Sequence, residues 1–204
     1  MSVMISNPEA YFRRFVPKRD NLLEELEFEA KSHEIPIIGP LVAQVLYILV
    51  RATGALSILE LGTATGYSGI YLARAAAENG GRLVTIEWSR GMADRAARNF
   101  QRAGVSDVVD IRVGDALSIL ESMNGPFDFA FLDIDKEFYI KVLPGLHGVM
   151  KSCGLMVADN VGFKDADAFN LAIAKSSQWQ SVNLFAFLPG HSPEKDGLCF
   201  ALAR

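Results

Sequence analysis

Short apolar runs alternate along the chain with longer stretches of helical period. The runs are rich in β-branched and aromatic residues, a composition that favours strands. Between them lie helical stretches such as residues 91–103, where Met92, Ala96 and Phe100 form one apolar stripe. We predict strands at residues 56–61, 82–87, 108–113, 127–132, 155–158, 180–187 and 197–203.

The order of these elements predicts an α/β fold. Strands that alternate with helical crossovers form a parallel sheet with helices on both faces. Only residues 189–196, a loop rich in proline, glycine and charge, separate the last two strands, so we expect that pair to run antiparallel. The pattern therefore indicates a mixed sheet of seven strands.

The residues before the first strand are predicted to be helical. Asp20 is placed to cap a helix whose leucines share one face, and a second helix is expected over about residues 40–52. No internal repeat or linker marks a second domain. We expect one domain over residues 1–204, with a helical arm at residues 1–55 and a core at residues 56–204.

Composition narrows the class of protein. Of 204 residues, 50% are hydrophobic and 22% are charged, and the formal net charge is -4, which gives no general attraction to nucleic acid or anionic membranes. The start of the chain lacks the apolar run of a signal peptide, and no later run is long enough to span a bilayer. We expect a soluble, cytoplasmic protein with no membrane contact.

Cysteine and histidine give no sign of a metal site. Cys153 and Cys199 are the two cysteines, too few for a disulfide framework and not at zinc-ligand spacing. The histidines His33, His147 and His191 also lack ligand spacing. We predict no structural zinc, and we assign no role to the three histidines.

A glycine-rich turn follows the first predicted strand. Residues 62–69 have the spacing G-x-x-x-G-x-x-G, with Ala64 where a dinucleotide-binding turn has its second glycine. Such a turn points backbone N–H groups and a helix N-terminus at an anionic group. Glu87 ends the second strand, where a carboxylate accepts hydrogen bonds from ribose hydroxyls. Together they predict a nucleoside-bearing cofactor, and a tight turn without a ligand is the alternative.

Acidic side chains end the next three strands as well. Asp115 follows the third strand and is as consistent with a helix cap as with a ligand contact. Asp133 follows the fourth strand, and Asp159 and Asn160 follow the fifth. Because the carboxyl ends of parallel strands share one edge, Asp133, Asp159 and Asn160 are predicted to converge. Two carboxylates and an amide oxygen are ligands that Mg²⁺ or Ca²⁺ prefers.

One geometric condition applies to this convergence. Adjacent strand residues point to opposite faces, so Asp159 and Asn160 reach one ion only if the backbone turns where the strand ends. Val161 and Gly162 are suited to such a turn. The alternative is that Asp159 and Asn160 cap the next helix.

Lys136 lies three residues after Asp133, and we expect it in the first turn of the next helix. The helix dipole disfavours a cation there, so the presence of a lysine at this position needs an explanation. Lys136 is either a general base in the acidic site or the ion-pair partner of Asp135 or Glu137.

Five motifs occur in order at these strand ends: ILELGT with TGYS, TIE, GDAL, FLDIDK and DNV. In this combination the chain closely resembles the cation-dependent, S-adenosylmethionine-dependent O-methyltransferases, the family of caffeoyl-CoA and catechol O-methyltransferases. The resemblance covers about residues 41–161. It implies a Rossmann-like seven-stranded methyltransferase fold, a homodimer, and methyl transfer to one hydroxyl of a small aromatic acceptor with two vicinal hydroxyls.

The resemblance also implies roles for individual residues. Those implied to bind S-adenosyl-L-methionine are Glu60, Gly62, Thr63 and Ser68 at its amino-acid end, Glu87 at the ribose, Asp115 and Ala116 at the adenine, and Asp133. The implied ligands of a divalent cation, Mg²⁺, are Asp133, Asp159 and Asn160. The implied catalytic residues are Lys136 and Asp133. Candidate walls of the acceptor site are Tyr139, Phe163 and Phe187.

Three other functions stay open. Some relatives resemble tRNA hydroxyuridine methyltransferases, and an RNA acceptor would be met by four cations near the start of the chain, Arg13, Arg14, Lys18 and Arg19. A nicotinamide oxidoreductase shares the sheet and Glu87 but has no use for the acidic trio. A cofactor-binding module without activity is the third alternative.

Overall fold

The computed structural model describes residues 3–204 and contains one sheet of seven strands. The strands are β1 (Ser57–Leu61), β2 (Arg82–Glu87), β3 (Val109–Val113), β4 (Phe127–Leu132), β5 (Met150–Ala158), β6 (Trp179–Phe187) and β7 (Lys195–Ala203). Their order across the sheet is β3-β2-β1-β4-β5-β7-β6. The first five strands pair in parallel, whereas β7 is antiparallel to β5 and β6. The predicted mixed sheet and its antiparallel end are confirmed.

Helices cover both faces of the sheet. They are α1 (Pro8–Phe12), α2 (Asn21–Ser32), α3 (Gly39–Thr53), α4 (Tyr67–Asn79), α5 (Arg90–Arg102), α6 (Ala116–Ser122), α7 (Tyr139–Val149) and α8 (Asp167–Lys175). Consecutive side chains of a strand enter different cores: Ile58 of β1 packs with α2 to α5, and Leu59 packs with α6 to α8. This burial on both sides explains why the central strands are continuously apolar in sequence.

The two helices predicted ahead of the first strand are confirmed as α2 and α3. The Asp20 carboxylate accepts a hydrogen bond from the Leu23 N–H at 3.0 Å and so caps α2. Leu26 of α2 and Leu46 of α3 are buried in the same core as Ile58. No helix within residues 3–204 is long and apolar enough to cross a membrane.

The predicted start of β5 is wrong by five residues. The strand begins at Met150 rather than at residue 155, and Met150 pairs with Phe127 across a register shift. Lys151, Ser152 and Cys153 are exposed there. A strand segment that faces solvent carries no apolar pattern, so the sequence could not reveal this extension.

The register of β4 and β5 positions the acidic residues. Leu132 and Ala158, the last residues of these strands, are directly paired. Asp133 and Asp159 therefore leave the sheet side by side at its carboxyl edge. β1 ends at the same edge, since Leu61 also pairs with Leu132.

Candidate active site

The loop after β1 makes a close approach to the end of β4. Gly62 has φ +99°, and a Cβ atom there would clash with the Asp133 carbonyl oxygen. Only glycine fits this position. Ala64 adopts φ +46° although it is not glycine, so the loop departs from the dinucleotide spacing yet keeps a left-handed backbone at that point.

Glu87, at the end of β2, holds this loop in place. Its Oε2 accepts hydrogen bonds from the N–H groups of Thr63 and Ala64 at 3.2 and 2.8 Å. Its Oε1 accepts one from the Ser89 N–H at 2.8 Å. Glu87 thus lies beside the glycine turn, as predicted, and fixes the loop through charge-assisted hydrogen bonds.

Glu60 lies beneath the loop rather than in a cavity, which corrects the expectation that it faces a ligand. It is fully buried, and its Oε2 accepts a hydrogen bond from the Thr85 hydroxyl at 2.6 Å. Burial raises the pKa of Glu60 to about 7. The Thr63 hydroxyl also bonds Thr85, so Glu60 supports the loop from below. Ser68, at the start of α4, borders a small cavity with Gly62 and Thr63.

A cavity of about 450 Å³ opens at the ends of β2 and β3. We call it the β2–β3 cavity, and its lining includes Gly62, Ile86, Trp88, Asp115, Ala116, Leu117, Ile134 and Phe138. Asp115 is also the cap of α6, since it accepts hydrogen bonds from the Ser118 N–H and hydroxyl at 3.0 and 2.8 Å. Those bonds hold the pKa of Asp115 below its usual value. Both roles considered for Asp115 are therefore compatible with its position.

A second cavity, of about 320 Å³, adjoins the first at Trp88. We call it the acidic cavity, and its lining is Pro36, Ile37, Ala64, Glu87, Trp88, Asp133, Ile134, Asp135, Lys136, Asp159, Asn160 and Ser192. The structure thus brings together Asp133, Asp159 and Asn160, as the strand ends predicted. The two cavities share Trp88, Ile134 and Asp135, and we call them together the cleft at the carboxyl edge of the sheet.

Lys136 pairs with Asp133 rather than with Asp135 or Glu137. Its Nζ lies 3.0 Å from the Asp133 Oδ1. Burial raises the pKa of Asp133, while Lys136 opposes that effect and the charge of Asp159 adds to it. The lysine begins a 3₁₀ turn, Lys136–Phe138, that runs directly into α7, so its predicted place in the first turn of the next helix is confirmed.

The backbone turns at Asn160, which is the condition for Asp159 and Asn160 to reach the same ion. Asn160 has φ +49°, so the chain turns there and its side chain reaches the same cavity as Asp159. The Asn160 amide nitrogen donates to the Asp196 carboxylate at 2.6 Å, which leaves the amide oxygen as the atom available to a ligand. Neither residue caps a helix, because Phe163 precedes the next helical turn. The capping interpretation is wrong.

His191, to which the sequence assigned no role, contacts Asp159. Its Nε2 lies 3.0 and 2.8 Å from the two Asp159 carboxylate oxygens, and its Nδ1 lies 2.6 Å from the Pro193 carbonyl oxygen. All three partners are acceptors, so both ring nitrogens donate. Burial lowers the pKa of His191, but the hydrogen bond to Asp159, the charges of Asp159 and Asp196 and the bond to Pro193 together raise it above its usual value. No local spacing could reveal a contact between residues so far apart in sequence.

The aromatic walls expected for the acceptor site are not in the lining of the acidic cavity. Tyr139 is fully buried, and its hydroxyl donates to the Leu132 and Asp159 carbonyl oxygens at 3.2 and 3.0 Å. The Arg13 guanidinium lies over the Phe187 ring, with its central carbon 5.2 Å from the centre of the ring. Phe163 is partly exposed outside the cavity. The apolar walls are instead Pro36, Ile37 and Trp88.

The amino-terminal cations are partly neutralised. Arg13 forms two hydrogen bonds with Glu194, both at 2.6 Å. Arg19 pairs with Glu27 at 2.8 Å. Two of the four cations considered for RNA are therefore engaged by acids of the same chain.

Comparison with known proteins identifies the family. A family model described as O-methyltransferase matches residues 16–175. The catechol O-methyltransferase of Niastella koreensis is 41% identical over 128 residues, which are 61% of this chain and 58% of that protein. The curated relative is thus matched over little more than half its length.

Two solved structures superpose over nearly the whole chain. The O-methyltransferase TomG from Streptomyces achromogenes, in complex with SAM, has a TM-score of 0.85 and 28% identity, and the match covers 98% of this chain and 99% of that one. The Bacillus cereus O-methyltransferase, in complex with SAH, has a TM-score of 0.85 and 29% identity, over 97% of both chains. With most of its residues matched by the family model, the chain belongs to the O-methyltransferase family.

Proposed function

We propose that this protein transfers a methyl group from S-adenosylmethionine to one hydroxyl of a catechol-like acceptor, with a divalent cation at the acidic trio. The observation that carries the proposal is the convergence of Asp133, Asp159 and Asn160 in one cavity beside the glycine-rich loop. The likeness to a catechol O-methyltransferase supports the acceptor class. The SAM and SAH complexes of the similar structures support the methyl donor.

The β2–β3 cavity suits the nucleoside of the donor. Ile86, Leu117 and Phe138 offer apolar surfaces to a purine, and Asp115 and Ala116 lie at its edge. Glu87 lies where a ribose would meet the loop, and a carboxylate has lone pairs beyond those that the loop N–H groups use. The bound donor supplies an electrophilic methyl group on its sulfonium.

The donor set of the acidic cavity fits a hard divalent cation. Asp133 and Asp159 supply carboxylate oxygens, and Asn160 presents its amide oxygen because its nitrogen faces Asp196. Burial raises the pKa of Asp133, and the nearby Asp159 charge adds to that effect, so a cation between the two carboxylates would be favourable. A bound Mg²⁺ would supply Lewis-acid activation of a hydroxyl and a fixed orientation for two vicinal oxygens.

The remaining residues of the acidic cavity hold the acceptor and its proton. Pro36, Ile37 and Trp88 present apolar surfaces that suit a flat aromatic ring. We assign Lys136 as the group that accepts the hydroxyl proton at Nζ, which it does as a neutral amine, after the ammonium that pairs with Asp133 gives a proton to water. Trp88 lines both cavities, so it lies where acceptor and donor meet.

A methyl-transfer assay tests the proposal. The protein is given donor labelled on the methyl group, Mg²⁺ or a chelator, and either catechol, its monomethyl ether or total tRNA. We expect transfer to catechol only, lost in the chelator. Transfer that persists in the chelator contradicts the cation, and transfer to tRNA with a steep salt dependence favours an RNA acceptor. Donor binding without transfer to any acceptor would indicate a cofactor-binding module.

The predicted homodimer is a separate matter. Phe12, Phe15, Leu184 and Phe185 are exposed apolar side chains near the edge strand β6, and a second copy would cover them. Sedimentation at several concentrations measures the oligomeric state directly.

A further inference from the structure

His191 contacts Asp159 from a direction that matters for a cation. Its Nε2 lies at nearly equal distances, 3.0 and 2.8 Å, from the two carboxylate oxygens. A nitrogen so placed faces both oxygens at once, which is also where a cation would sit to bind the carboxylate through both oxygens. A cation that bound Asp159 through both oxygens on that side would occupy the place of the His191 ring.

The contact is built into the loop that joins β6 and β7. The ring is fixed by its own loop, because Nδ1 donates to the Pro193 carbonyl oxygen at 2.6 Å. The loop is closed by the hydrogen bond from the His191 N–H to the Leu188 carbonyl oxygen at 2.9 Å. Both the His191 and Asp159 side chains are only 1% exposed. The pair is thus an internal contact of the fold rather than a surface encounter.

The same loop forms part of the acidic cavity. Ser192, next to His191, lines that cavity with Asp159 and Asn160. A change in the His191 contact would therefore move a wall beside the acceptor.

We propose that His191 is a latch on the cation site: its ring holds both oxygens of Asp159 when no cation is bound and releases them when the cation binds. The inference rests on the proposed function, since it requires that Asp133, Asp159 and Asn160 bind the cation. The latch makes cation binding weaker than the donor set alone would give. It also links cation binding to the position of residues 188–194, and so to the shape of the acceptor site.

Two substitutions of His191 separate the latch from a supporting role. His191→Asn keeps a nitrogen near the place of Nδ1 and loses the contact to Asp159, whereas His191→Gln keeps a nitrogen near the place of Nε2. Mn²⁺ affinity is measured by electron paramagnetic resonance at one pH, with His33→Gln, an exposed histidine, as the control. We expect His191→Asn to bind Mn²⁺ about ten- to a hundredfold more tightly, the factor that a hydrogen bond to a charged group is worth. His191→Gln and the control should remain near the wild-type affinity.

The opposite result is well defined. A residue that merely orients a ligating carboxylate supports the metal, and its loss weakens binding about ten- to a hundredfold. Weaker or unchanged Mn²⁺ binding in His191→Asn therefore overturns the latch while leaving the cation site intact. No Mn²⁺ binding by the wild type or by His191→Asn overturns the cation site itself, and the latch with it.

A measurement on the wild-type protein covers the case in which His191→Asn does not fold. Amide hydrogen exchange of residues 188–194 is followed with and without Mg²⁺. The latch predicts faster exchange in this loop when Mg²⁺ is present, because the ring has left Asp159. Slower or unchanged exchange overturns it.

Discussion

The two cavities of the cleft differ in what they offer a ligand. The lining of the β2–β3 cavity has more apolar than charged residues, and one of its acids, the half-buried Asp115, is satisfied by the hydrogen bonds of a helix cap. The acidic cavity contains two carboxylates at neighbouring strand ends, and each pairs with a nitrogen atom of another side chain: Asp133 with Lys136 and Asp159 with His191. The β2–β3 cavity is suited to bind a ligand by its shape. The acidic cavity is suited to bind a ligand by its charge and to orient a reacting group.

This difference predicts whether a substitution should affect donor binding or methyl transfer. Changes in the β2–β3 cavity and its loop should weaken donor binding, because the contacts there are the same before and during the reaction. Changes in the acidic cavity should slow transfer, because orientation and proton removal are realised in the transition state. The predictions below test this division, from the largest effect to the smallest.

The largest effect is expected at Asp159, compared with Lys136. Asp159→Asn keeps an acceptor for His191 but removes a ligand charge, and orientation is worth on the order of 7 to 11 kcal/mol in favourable cases, so transfer should fall below detection. Lys136→Met should lower kcat by roughly 10²-fold, the lower end of what a positioned base contributes. Transfer rates and Mn²⁺ binding are measured for both variants. A greater loss in Lys136→Met than in Asp159→Asn contradicts the ranking of orientation above proton removal, and weaker donor binding with unchanged transfer in either variant contradicts the division.

The charged half of the cleft also shows how far sequence could predict this site. Asp133 and Asp159 could be paired in advance, because both end apolar strands that are parallel neighbours. The Gly62 turn could be found because its backbone conformation requires a particular residue type. These signals are local, and each depends on a few consecutive residues.

The rest of the acidic cavity could not be predicted. Pro36 and Ile37 lie between α2 and α3, and His191 and Ser192 lie near the other end of the chain. Only the packing of α2 and α3 on the sheet and the closure of the β6–β7 loop bring them together. The expected wall Tyr139 illustrates the same limit, because an aromatic residue near a strand end in sequence packs equally well into the core.

A smaller effect is expected at Glu87. Glu87→Gln removes the charge that accepts hydrogen bonds from the Thr63 and Ala64 N–H groups, and the amide nitrogen of glutamine cannot replace an acceptor. Hydrogen bonds to charged groups are worth about 1.5 to 3 kcal/mol, so donor binding should weaken by about tenfold or more. Calorimetry with S-adenosylhomocysteine measures the affinity. The comparison fails if Glu87→Gln binds this product as the wild type does.

The smallest effect on transfer, but a distinct one on stability, is expected at Glu60 beneath the loop. Its pKa is raised to about 7 in the folded protein, against an ordinary value of 4.5. The folded state then binds the proton more tightly than the unfolded state. Glu60 contributes stability that is fully present below about pH 4.5 and is lost as the pH rises to about 7.

Glu60→Gln should remove this loss. From pH 4.5 to 7 the wild type should lose on the order of 3 kcal/mol more stability than the variant, at 1.36 kcal/mol per pKa unit. Urea unfolding at several pH values measures it, with Glu121→Gln, an exposed acid of α6, as the control for one lost charge. Parallel pH profiles of the wild type and Glu60→Gln would contradict the raised pKa. A difference between the two pH profiles would mean that Glu60, which lies beneath the glycine loop, binds its proton without a ligand, whereas the acidic cavity is proposed to need a cation.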